Sequence, residues 1–112
     1  MKENEKALKQ ARAYYKRADL EITEQLDHLG LHIAKMYITV PMGLQIAHWI
    51  VRYNKLALHI SHSKMAGADN YVMSGFKNFE EEKPKEEQFY QDTNKDKLFD
   101  KIEELIAEQQ KQ

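Results

Sequence analysis

Cysteine is absent from the 112 residues, which excludes a disulfide framework, a thiolate nucleophile and a thiolate metal site. Glycine and proline number only four and two, so the chain offers few of the breakers that announce a succession of short strands and turns. No apolar run approaches the roughly 20 residues of a membrane span. The most apolar window, Val40 to Ile60, is interrupted by His48, Arg52, Lys55 and His59. The opening Met1-Lys2-Glu3-Asn4-Glu5-Lys6 leads into more charge instead of a signal's apolar core, so the expectation is a cytoplasmic protein with no membrane partner. A net charge of −1 supplies no global attraction to nucleic acid. Phosphate-cradling glycine loops, a nucleophile elbow and the His-Glu-x-x-His zinc pattern are all missing. The expectation is therefore a non-enzyme, with no catalytic residues, no native metal and no cofactor.

What the chain does contain is helix-forming Ala, Leu, Lys, Glu and Gln in a length suited to one domain. From Leu8, apolar residues fall at Ala11, Tyr15, Ala18, Ile22, Leu26, Leu29, Ile33, Met36 and Val40, a three-or-four spacing that predicts one long helix. Continued to Met36 and beyond, it would be a rod of roughly 45 to 50 Å. Pro41 ends it and starts a second helix. That second pattern, to about Ala66, runs through Met42, Ile46, Trp49, Tyr53, Leu56 and Ile60. Gly67 reads as its C-cap, followed by a short third helix with Tyr71, Val72, Met73 and Phe76. The fold expected is all-α: a long antiparallel helical hairpin with a short third helix and a C-terminal amphipathic helix. Residues 1–79 form the hairpin core, 80–92 a charged connector, and 93–112 the last helix, capped by Asp92, Thr93 or Asn94 with a fraying Gln-rich end.

Charge is blocked along the chain. Residues 1–18 hold six basic and two acidic side chains, 19–34 four acidic and no basic ones, and 35–68 four basic and no acidic ones. Folding back near Val40 sets Asp19, Glu21, Glu24 and Asp27 level with His62, His59, Lys55 and Arg52. Such exposed pairs select register, at about 0 to 1 kcal/mol each, and burial supplies the stability. The same pattern suits an antiparallel homo-oligomer.

Two surfaces are candidates for binding another protein. One is the acid-free stripe of His48, Arg52, Lys55, His59 and His62, read as a helix face suited to an acidic partner. The other is the apolar face of Leu98, Phe99, Ile102, Leu105 and Ile106, which fits a partner's groove as readily as the chain's own core. The alternative is a nucleic-acid-binding regulator using Arg52, Lys55 and Lys64, with Lys9, Arg12, Lys16 and Arg17 in support. For metal, Glu24, His28 and His32 stand four apart and His59-x-x-His62 forms a second pair, but neither makes a zinc signature.

Overall fold

The computed structural model describes residues 3–111; Met1 and Lys2 of the charged opening, read as lacking a signal's apolar core, and Gln112 at the Gln-rich end lie outside them. Two helices, α1 (Glu5–Tyr14) and α2 (Arg17–His28), precede four consecutive strands, β1 (His32–Thr39), β2 (Ile46–Tyr53), β3 (Leu56–Met65) and β4 (Ala68–Phe76). After an irregular segment come β5 (Glu87–Asp92) and α3 (Lys95–Gln110). The strands form one antiparallel meander in the order β1-β2-β3-β4-β5. The all-α helical hairpin is thus overturned: residues 32–92, expected as mostly helix, build a sheet. The longest dimension, 40 Å, also falls short of the expected rod.

The reason lies in an alternation that the three-or-four spacing masked. In β2 the buried residues are Ala47, Trp49 and Val51, and in β3 Leu56, Leu58, Ile60 and His62, with Ser63 also covered near the strand end, a period of two that sends every second side chain to one face. Trp49, Tyr53, Leu56 and Ile60 satisfy a helical spacing only because it bridges a two-residue hairpin turn at Asn54-Lys55. Asn54 supplies the left-handed backbone there, φ 52°, as asparagine tolerates. Ala66-Gly67, expected as a helix end, is the β3–β4 hairpin turn with both φ positive, the form that matches strand twist. Ile, Val, Thr, Tyr and Trp density in this region agrees with strand.

All three helices cover the same face of the sheet. Ala11 of α1, Ile22 and Leu26 of α2, and Leu98, Phe99, Ile102, Leu105 and Ile106 of α3 join Met36, Trp49, Val51, Leu58, Ile60 and Met73 in one core. Buried polar clasps fix the layers. Trp49 donates its indole N–H to Thr23 Oγ1 at 2.9 Å, and Thr23 donates to the Asp19 carbonyl at 2.8 Å. Asn4 donates to Leu31 O at 2.7 Å and accepts from Ile33 N at 2.9 Å, tying the start of α1 to β1. The last helix occupies the expected C-terminal segment, with Asn94 accepting from Lys97 N at 3.1 Å as its cap. Where the Gln-rich end was expected to fray, the described residues are pinned at Gln109, which is buried, accepting from Lys55 N at 3.1 Å and donating to Lys77 O at 2.8 Å.

Because the strands alternate up and down, the β1–β2 loop, the β3–β4 turn and the β5–α3 junction share one end of the sheet. The α1–α2 corner joins them, since Lys16 and Ala18 line one cleft with Gly43, Leu44 and Lys64. Among the described residues, no helix is long and apolar enough to cross a membrane.

Candidate functional site

Two places gather side chains with chemical capacity, and the first is the helix-free face of the sheet. Register sets Tyr37 opposite His48, while His59 on β3 pairs with Ile50, one step along the same outward row from His48. The Tyr37 and His48 rings are parallel with centroids 4.5 Å apart. His48 Nδ1 lies 2.9 Å from His59 Nε2, and His48 Nε2 lies 2.8 Å from Thr39 Oγ1. One imidazole must donate to the other, so the pair holds a proton between its rings. Burial, and then the neighbouring His59, push the His48 pKa below the usual histidine value, so His48 is neutral near pH 7. Lys35 lies over the Tyr37 ring at 4.9 Å, and the Arg52 guanidinium over the Phe79 ring at 4.9 Å. By strand parity the other outward positions are His32, Met65 and Phe76 with Thr, Ser, Asn, Gln, Ile, Val and Ala; His32 meets the Glu3 carboxylate at 3.0 Å at the start of β1. Among the described residues, no carboxylate occupies an outward strand position.

The second place is the cleft at the loop end, a volume of about 470 Å³ bordered by α2, β2 and β3. His62 points inward from β3 and is clamped at both nitrogens, Nδ1 2.6 Å from Asp19 Oδ1 and Nε2 2.9 Å from Asp69 Oδ1. Its ring also stacks on Tyr71 at 4.7 Å. Burial pushes its pKa down, but the hydrogen bonds and charges of Asp19 and Asp69 outweigh burial and hold it above the ordinary value. Two acceptors on opposite sides of one ring suit an imidazolium. They also leave no free nitrogen for a substrate or an ion.

The structure brings His48, Arg52 and His59 onto the outward face and separates the rest of the expected stripe. His62 faces inward, since three positions along a strand change the face, and the His59-x-x-His62 pair is therefore split. Lys55 sits in the β2–β3 turn. Leu98, Phe99, Ile102, Leu105 and Ile106 are buried in the chain's own core. Glu24 and His28 share a face of α2, but His32 opens β1, so the three do not line up on one helix. Among the described residues, no group of three or more His, Asp or Glu side chains is placed to hold a metal ion. Of the cations in the nucleic-acid reading, Lys16 and Lys64 line the cleft, and Lys9 and Arg12 are on α1.

Sequence reasoning missed Lys35, Tyr37, Thr39 and Asp69. The signal was present: taken with period two, His48, Ile50 and Arg52 share a face. The Asp19–His62 contact did follow from the charge blocks, although it joins a helix to a strand. The expected partner of Glu21 was His59, whereas Glu21 meets Arg17 at 3.2 Å and Lys95 at 3.8 Å. The chain matches no protein-family model, no curated protein and no solved structure.

Proposed function

We propose that this is a non-enzymatic binding protein whose working surface is the helix-free face of the sheet, and that its partner is an acidic segment of another protein. The observation that carries the reading is the composition of that face: Lys35, Arg52 and the His48–His59 pair among apolar and aromatic side chains, with no carboxylate at an outward strand position of the described residues. Antiparallel sheets commonly leave one face to solvent, so openness alone is ordinary. Charge of one sign across it, in a chain of net charge −1, is what selects an acidic partner. A cytoplasmic location belongs to this reading.

Single-stranded nucleic acid would meet the same cations, but the stacking platform it favours is poorly offered. One side of the Tyr37 ring is covered by His48 and the Lys35 ammonium already lies over the ring.

The test uses a fluorescent peptide of alternating Glu and Leu and a fluorescent oligo-dT as probes. Binding of the peptide is expected, weakening about tenfold or more in the Lys35→Glu, Arg52→Glu double variant. Equal affinity in the double variant overturns the reading. A strongly salt-sensitive preference for oligo-dT transfers the face to nucleic acid.

A further inference from the structure

We infer that the loop end of the sheet is a docking surface for an anionic lipid bilayer. Among the described residues the large apolar side chains left exposed are Tyr14, Val40, Met42 and Met65. They come from three separate places in the sequence, and all four belong to the same end of the fold. Tyr14 closes α1 at the α1–α2 corner, Val40 and Met42 lie in the β1–β2 loop, and Met65 borders the β3–β4 turn. Met65 ends the outward row of β3, where this surface meets the outward sheet face, but Lys35, Arg52, His48 and His59 take no part in it, so the inference does not rest on the reading above.

The geometry favours a fluid apolar medium over a folded partner. Met42 is fully exposed, projecting from a loop tip instead of lying in a flat patch. Protein interfaces bury closely packed contiguous surface, about 800 Å² on each side. A bilayer fills in around single projecting side chains. Met42 also holds a left-handed backbone, φ 52° and ψ 35°, which glycine or asparagine adopts more readily than a long side chain.

Charge fits the same occupant. Lys16 and Lys64 line the cleft beneath these tips. The carboxylates of that cleft, Asp19 and Asp69, are committed to His62; Asp92 and Asp96 stand at the β5–α3 junction of the same end, beside Lys95, so the attraction is local to the Lys16–Lys64 side. Anionic bilayers attract basic groups held near their surface, and apolar loop residues beside them enter the headgroup boundary. The sequence expectation of no membrane partner rested on windows of hydropathy, which detect spans and not isolated loop residues.

Flotation with vesicles of phosphatidylcholine alone, and with about 30% phosphatidylserine added, tests the inference. The intact chain is expected to partition onto the anionic vesicles. The Met42→Ser, Met65→Ser variant should lower partitioning about tenfold or more, and Lys16→Gln, Lys64→Gln should lower it on anionic vesicles only. Met42→Gly, which suits the local backbone, should keep the fold by circular dichroism and still weaken binding. Absence of partitioning at low salt overturns the inference. So does undiminished partitioning of the double serine variant, which would indicate adsorption by charge alone. A double serine variant that turns a dimer into a monomer by light scattering, with vesicle binding unchanged, assigns this end to a second copy instead.

Discussion

Removing Asp19 should expose how much of the fold hangs on the His62 clamp. The ring is 8% exposed, and its contacts to Asp19 and Asp69 are 2.6 and 2.9 Å. Deleting one partner of a buried ion pair costs about 3 to 5 kcal/mol. Here Asp69 remains, 42% exposed, and the adjoining cleft lets water reach the vacated side. A cost below that range, about 2 to 3 kcal/mol, therefore applies to Asp19→Ala, a fall in Tm of about 10 °C for a chain this size. The pH dependence has a definite sign. His62 has a higher pKa folded than unfolded, because the two carboxylates overcome the opposing effect of burial. The clamp's contribution is complete below the unfolded value of about 6.5 and fades as pH rises through the folded one. Thermal melts from about pH 6 to pH 9 should thus show the gap between the intact chain and the variant narrowing with rising pH. In parallel, the His62 Cε1 proton should titrate above about 6.5 in the intact chain and lower in the variant. Equal melting temperatures at pH 6, or a gap that widens toward pH 9, would refute the reasoning.

Three further outcomes follow from the packing. A Cβ on Gly75 would lie 2.0 Å from Ala57 O, so Gly75→Ala should cost about 3 kcal/mol in urea unfolding by forcing β3 and β4 apart. Asn4→Ala strips the buried hydrogen bonds to Leu31 and Ile33. It should lower stability by about 2 kcal/mol and speed hydrogen exchange at Ile33. The Tyr15 hydroxyl is buried without a hydrogen-bond partner among the described residues, and its pKa is pushed up to about 12 by burial and then by Asp19. Tyr15→Phe removes that unsatisfied group while keeping the ring beside Trp49, so a gain of about 1 kcal/mol is expected by denaturant titration; a loss of that size would show that the hydroxyl has a partner.

How much of this was legible varies from segment to segment. The last helix could be read directly, because its apolar face, a cap among Asp92, Thr93 and Asn94, and its charged opposite face point the same way; which of the three caps it, Asn94, came from the structure. Residues 32–76 could not, because Trp49, Tyr53, Leu56 and Ile60 fit two periods and only the turn at Asn54-Lys55 separates them. Asn54-Lys55 is a weaker hairpin signal than Asn-Gly, and Ala66-Gly67 serves a helix end as well as a hairpin. Of the pairings drawn from the charge blocks, Asp19 does meet His62, whereas Glu21 turns to Arg17 and Lys95 and Asp27 to Asn4, because blocks of opposite charge do not specify which backbone presents them. Exposure of Met42 was illegible: burial depends on what the remote chain covers, and no local pattern reports it.

The proposed function requires a partner to sit on the outward sheet face. Amide and imidazole chemical shifts recorded while the Glu-Leu peptide is titrated into labelled protein test that directly. The account predicts changes confined to Lys35, Tyr37, His48, Arg52, His59 and their outward neighbours, with α3 silent. Changes centred on α3 or on the helix-covered side, with His48 and His59 unmoved, would contradict it.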